Sequence, residues 1–497
     1  MLDERVKRQE LLLEQLYKNL PAHFTLGWTP SGSKEDLAFQ NLKKPTVQKI
    51  ETLDTNPAEL VSKLRTSLVG QFYISRLKRF GVLRWMARWI WRYGYPIYVN
   101  QVVARLSNSK TKRWRTLIRF GDYLKSHHTP TRKILDAVLI ETSPPQVFPV
   151  IEPECVALFH SAYKYPEIYV ASVVDALIYG GSNLVLVDEL VLCHDLYEFE
   201  SDFTSEELHG RTLIDPDKKR IRWMTNDSDP VRLSVAAVFL DACASNYAHW
   251  MTEVLPRIFL FCSTDISENT PIVVNDGLHK NIMESLFLVT GSNREIITLP
   301  VGRALSVAKL YVTSPTGYVP FDRRVKLGTS HSHGRFSATA FIKLRIYLDS
   351  LDTGSEFEVW PEKVYLRRNS SARKVINESA IEKLLFSHGY VSIEPEKLTF
   401  LQQIKLFKNA RKIISPTGAA LASAIVCRTG TKIAILMGEH KDMIYGYWNS
   451  LLDPIGIQVR NILGKISEHH DAGIHGDFEV NIKDIRDLLE NFEADQN

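Results

Sequence analysis

From Val235 onward the chain alternates short apolar runs with segments of helical periodicity. That alternation restricts it to a layered α/β fold, because each apolar run must pair in a sheet and each helix must cover a sheet face. Residues 235–240 read as a strand, 246–261 as a helix, 271–274 as a strand, 279–289 as a helix, and 295–299 and 309–313 as further strands. A linker with Gly317, Pro320 and an HSHGR run leads to a helix over 337–351. A second unit of the same kind follows. It has strands at 363–366, 390–393, 412–414 and 432–436, and helices at 377–387, from Thr399, and at 418–426. Asn377 is the expected N-cap of the first of these helices, with Gly389 near its stop. Thr399 and Gln402 form the threonine-x-x-glutamine capping box that opens the next.

Upstream the pattern differs. Residues 168–193 are β-rich with Gly180-Gly181-Ser182-Asn183 between two runs, which predicts an antiparallel hairpin or meander. Residues 1–130 read as a separate basic extension, mostly helical or partly irregular, with a turn-rich polar stretch at 30–57. The expected division is therefore an extension over 1–130, an α/β domain over 131–330 with a β-rich start, a second Rossmann-like domain over 331–480, and a tail over 481–497.

Composition fits a folded protein of two or three domains: 497 residues, 44% apolar and 24% charged. The five cysteines lie scattered without CxxC spacing, which indicates neither a zinc site nor a disulfide framework. The N-terminal MLDERVKRQELLLEQLYKNL is charged and amphipathic, and no window offers about 18 uninterrupted apolar residues. A cytoplasmic protein is expected, on the inner membrane face if it docks there. Residues 61–121 hold fourteen Lys or Arg and no Asp or Glu, with Trp85, Trp89, Trp91 and Trp114 interleaved. This is the composition of an interfacial helix, in which each basic group contributes about 1 kcal/mol at an anionic leaflet. The same residues would serve a basic helix docked on the protein by its aromatic face, or an anionic glycan lying along the basic face. Nucleic acid is not an expected partner, since no recognition motif accompanies the charge.

The segment SNYAHWMTEVLPRI, 245–258, carries the densest chemistry. Asn246, His249, Glu253 and Arg257 recur at helical spacing just past a strand end, with Pro256 inside the apparent helix. The plain alternative is a satisfied core histidine with a surface carboxylate. An imidazole titrates near neutral pH, so His249 is the candidate base, with Glu253 orienting it or acting as base itself. Downstream, Pro416-Thr417-Gly418 follows a strand and opens a helix. Backbone N–H groups there converge on one spot, and Gly418 and Ala419 permit a phosphate to come close; tight packing on the sheet is the competing reading. Arg367 and Arg368 end a strand where open α/β sheets bind ligands. Asp215-Pro216-Asp217 and Asp227-Ser228-Asp229 read as turn formers rather than metal ligands, and no metal or cofactor is expected.

The pattern Asn246-x-x-His249-Trp250-x-x-Glu253-x-Leu255-Pro256-Arg257, with VYLRRNS (364–370), INES (376–379) and EPEKLTFLQQIKLFKNARKIISPTGAAL (394–421), resembles glycosyltransferase family 61. Thr417, Ser423 and Met437-Gly438 depart from residues common in that family. The resemblance spans about residues 160–450. It implies the GT-B architecture, two Rossmann-like domains facing a cleft. It also implies inverting transfer of a sugar from a nucleotide-sugar donor to a glycan hydroxyl acceptor, as in bacterial surface or capsular polysaccharide synthesis, without a metal. His249 and Glu253 would be catalytic, and Asn246 and Arg257 would hold the acceptor. Arg367, Arg368, Glu396, Gln403, Thr417, Gly418 and Ala419 would hold the donor, with Arg367 as the diphosphate clamp and Glu396 on the ribose. The alternative function is a non-catalytic glycan- or nucleotide-sugar-binding assembly factor of the same fold.

Overall fold

The computed structural model describes residues 45–51, 86, 113–149, 162–198, 202–208, 211–223, 229–320, 322–323, 334–351, 360–369, 372–440, 443, 445–467 and 473–494. Most of the basic stretch at 61–121, together with Asp227, Ser228, His331, His333 and Cys155, lies outside them. Among the described residues no helix is long and apolar enough to cross a membrane.

The chain is a mixed α/β protein built on two large sheets. At the heart of the first, Ile296–Leu299, Ile272–Asn275, Val231–Val238 and Ala304–Thr313 lie side by side in that order, all parallel. Val231–Val238 begins four residues earlier than the apolar run suggests, because its first half is only partly covered and so alternates. Ile168–Tyr179 then pairs antiparallel with Ala304–Thr313 and continues into Val185–Val187 and Leu190–Cys193, the expected meander. In the second sheet Val391–Ile393, Lys363–Leu366, Lys412–Pro416, Lys432–Gly438 and Gln458–Ile466 are all parallel.

Each sheet reverses its order once, and those reversals position the site. In the first, the chain steps outward from Val231–Val238 to Ile272–Asn275 on one side, then returns to Ala304–Thr313 on the other. In the second, it steps from Lys363–Leu366 to Val391–Ile393, then back to Lys412–Pro416. Loops that leave neighbouring strands in opposite directions open a crevice at the carboxyl ends. Here those ends carry Asp241 to Tyr247 in one sheet, and Arg367, Arg368 and Thr417 to Ala420 in the other.

Several segments join across the expected boundaries. Val47–Lys49 and Arg115–Arg119, from the stretch read as a separate extension, are strands of the first sheet. Gln146–Phe148 pairs with Gln458–Ile466 of the second. The terminal helix Ile482–Ala494, spanning the expected tail, buries Ile485, Leu488, Leu489 and Phe492 against Tyr365, Ile414 and Phe478. The largest apolar cluster runs through both halves, from Phe259 and Leu286 to Phe341, Phe400, Leu421 and Trp448. Within it the buried Arg345 donates to the carbonyls of Ile425 and Ile455.

Two local expectations change. Asn377 stands at the N-cap position, yet its side chain makes no cap; it bonds both backbone groups of Val480 instead. The helix expected over 418–426 is a 3₁₀ helix over Ala419–Val426, with Gly418 just before it. The Thr399–Gln402 capping box forms as read. Asp215 accepts from Arg220 and from the backbone of Lys218 across a hairpin turn, as a turn former would.

Candidate functional site

The helix after Val231–Val238 is not regular. Tyr247–His249 is α-helical, Trp250–Val254 is a π-turn, and Leu255–Cys262 is α-helical again. Pro256 explains the wide turn: it has no N–H for the Thr252 carbonyl, and its ring would crowd that oxygen in a regular helix. The Leu255 N–H reaches back to Trp250 instead. Gly317 then packs so close that a Cβ on it would lie 2.6 Å from the Thr252 carbonyl oxygen. The extra residue in this turn also breaks the line of four side chains expected from the sequence. His249 and Glu253 meet, whereas Arg257 feels Glu253 only through charge. It is buried, donates to the Val238 carbonyl at 3.4 Å and stacks over Phe239. Asn246 caps the helix by accepting from the Ala248 N–H at 3.0 Å.

His249 Nδ1 and Glu253 Oε1 are 2.5 Å apart, and the Val319 N–H also reaches the Glu253 carboxylate. Burial works against the imidazolium, but the facing Glu253 carboxylate outweighs it and raises the His249 pKa to about 9. Burial likewise raises Glu253. The two groups therefore retain one proton between them at neutral pH. The pair borders a narrow chamber of ≈ 40 Å³ shared with His194, Tyr197, Glu206, Asp241, Cys243 and Tyr318. Asp241 is fully engaged there, accepting from the Cys243 N–H and from Asn183 Nδ2.

A larger cavity, ≈ 380 Å³, lies at the carboxyl ends of Lys363–Leu366 and Lys412–Pro416. It gathers Arg367, Arg368, Glu396, Gln403, Gly418 and Ala419, side chains spread over fifty residues of sequence. Thr417 stands just behind them, buried, with its hydroxyl accepting from Trp448 Nε1. Arg367 is turned to a surface network with Glu378, Glu382 and Glu394 at 3.7, 3.2 and 3.6 Å. Arg368 lies against the SPTG turn: it bonds the Thr417 carbonyl, and a Cβ on Gly418 would sit 3.0 Å from its Nη1. Burial, and then the nearby Arg373, lower its pKa to about 10 against the pull of Glu396. A half-buried guanidinium that feels the charge of a second one makes a place for an anion. The first backbone bond of the 3₁₀ helix runs from Leu421 to Gly418. The N–H groups of Ala419 and Ala420 therefore have no acceptor within the helix. Glu396 accepts from the Asn369 N–H, and Gln403 donates to the Pro395 carbonyl.

Sequence reasoning did not single out the opposite wall, which comes from the first sheet: Ser245, Tyr247, His279, Asn281 and Ile282. Tyr247 Oη and Ser423 Oγ are 2.8 Å apart across the two halves. Tyr247 thus faces this cavity while His249, two residues on, faces the chamber, so one helical turn forms the partition. The available signal was positional: DGLHKN follows a strand end and opens a helix, where α/β sheets collect ligand contacts. Arg373 was also unmarked; it sits beyond the RR pair with a positive φ of 57°.

A comparison with curated proteins returned no match. Residues 247–434 match the model of the family Glycosyltransferase 61, and that segment supplies the His249–Glu253 pair and most of the lining of the larger cavity.

Proposed function

We propose that the protein is an inverting, metal-independent glycosyltransferase that moves a sugar from a nucleotide-sugar donor to a glycan hydroxyl, in surface polysaccharide synthesis at the cytoplasmic face of a membrane. The observation that carries this reading is the ≈ 380 Å³ cavity, which collects Arg368, Glu396 and the 418–420 backbone at a sheet switch point. Arg368, Arg373 and the free N–H groups offer positive charge to a departing diphosphate. In the step envisaged, His249 takes the acceptor hydroxyl proton, the acceptor oxygen bonds to the anomeric carbon, and the bond to the diphosphate breaks. Glu253 keeps the proton on Nδ1, so that the other ring nitrogen is the acceptor. The donor would lie on the Tyr247 side of the Asn246–His249 turn. A GT-B arrangement fits two sheets, each with a parallel core, whose strand carboxyl ends border one cavity.

A screen of UDP-, GDP-, CMP- and dTDP-sugars by thermal shift and by release of free sugar, with and without EDTA, tests this. A nucleotide-specific stabilisation and turnover that survive EDTA are expected. Stabilisation without turnover towards any acceptor would favour the non-catalytic binding factor, and loss of turnover in EDTA would overturn metal independence.

A further inference from the structure

The donor cavity has two chemically different ends. At one, Arg368 bonds the Thr417 carbonyl beside Gly418. At the other, the Leu398 carbonyl accepts from Asn281 Nδ2 at 2.8 Å and from Gln403 Nε2 at 3.5 Å, while Gln403 also holds Pro395. Glu396 belongs to the same lining and is tied to the backbone of Asn369 next to Arg368. Asn281 comes from the helix of the first sheet and is only 3% exposed. Its Nδ2 faces a carbonyl, which fixes the orientation of the amide. Its Oδ1 is therefore an acceptor, and among the described residues it has no partner. A buried acceptor left unmade is costly, and Asn281 belongs to the cavity lining, where a ligand can bring the missing donor.

Resting on the nucleotide-sugar reading above, we infer that Asn281 is a specificity-determining residue whose Oδ1 accepts a hydrogen bond from an N–H of the donor's nucleobase. The walls beside it suit a flat ring: Ile282 from one half and Pro395 from the other. Glu396 suits ribose hydroxyls, and Arg368 with the Ala419 and Ala420 N–H groups suits the diphosphate, so the lining offers a group for each of base, ribose and diphosphate. The base is thus read from the half of the molecule opposite the one that grips the phosphates. A nucleotide bridges the two halves alongside the existing Asn281–Leu398 bond.

The test measures binding of UDP, dTDP, GDP, CDP and ADP, and of inorganic pyrophosphate, to the full-length protein and to Asn281→Ala. The tightest diphosphate is also compared with its base-N-methylated form, such as N3-methyluridine diphosphate for UDP. Asn281→Ala is expected to weaken that nucleotide roughly tenfold or more while leaving pyrophosphate unchanged. The methyl group should cost a similar factor in the wild type and little in the variant. Equal affinity of wild type for the methylated and unmethylated forms overturns the inference without involving the variant. So does a parallel loss of nucleotide and pyrophosphate in Asn281→Ala. If the wild type binds no nucleoside diphosphate more tightly than pyrophosphate, the donor-cavity reading falls as well.

Discussion

His249 Nδ1, just before a π-turn, and Glu253 Oε1, within it, lie 2.5 Å apart, and this contact makes the imidazole a stronger base than a free histidine. A base with its pKa raised to about 9 is mostly protonated at pH 7. Transfer should therefore climb with pH as His249 loses its proton on the approach to pH 9. Glu253→Gln removes the carboxylate that raises the pKa, so the rising limb should move to lower pH while the maximal rate falls. His249→Ala should abolish transfer and spare nucleotide binding. A kcat/KM profile from pH 6 to 10 checks the three forms, and an unmoved limb in Glu253→Gln would rule out the pair as the titrating unit.

The adjacent arginines should behave oppositely. Arg368 sits in the cavity against the Thr417 carbonyl, so Arg368→Ala should weaken nucleoside diphosphate binding by about 1.5–3 kcal/mol, roughly 10- to 150-fold. Arg367 has three carboxylate partners and a side chain 43% exposed, so Arg367→Ala should change affinity little. Titration calorimetry on the two variants separates the cases; a larger loss in Arg367→Ala would restore it as the clamp.

Gly317→Ala should destabilise the fold. The added Cβ would meet the Thr252 carbonyl oxygen at 2.6 Å and the Phe336 ring at 2.9 Å, and the first is backbone that cannot swing away. A cost of about 1–3 kcal/mol follows for such overpacking. Thermal melting checks it, and an unchanged midpoint would mean that the π-turn shifts freely.

Tyr247→Phe removes the hydroxyl 2.8 Å from Ser423 Oγ, one of the polar ties between the two halves beside the donor cavity. A loss of about 1 kcal/mol in stability is expected, with nucleotide binding weakened to a lesser extent than in Arg368→Ala. Ser423→Ala should match it. If the double variant loses no more than either single one, the two hydroxyls act as a pair.

The sequence by itself determined many of the local elements from residue 168 to 436 and most of one cavity wall. Alternating apolar runs require parallel strands covered by helices, and Arg367, Arg368, Glu396, Gly418 and Ala419 were legible because each stands at or near a strand's carboxyl end, where backbone direction alone sends the loop toward the crevice. The spacing of His249 and Glu253 likewise required their contact. Tertiary structure decided the rest. Helical periodicity placed Arg257 in line with Glu253, but Pro256 lodges in a π-turn that depends on Gly317 from a distant strand, and the extra residue turns Arg257 into the core. Which of two neighbouring arginines is tied up by carboxylates and which lies against the Thr417–Gly418 turn depended on Glu378, Glu382 and Glu394, which fold back onto Arg367. The wall formed by Tyr247, His279 and Asn281 belongs to the other sheet. Periodicity and capping report on a chain's own neighbours, whereas an unpaired buried oxygen such as Asn281 Oδ1 exists only once two separate segments have packed together.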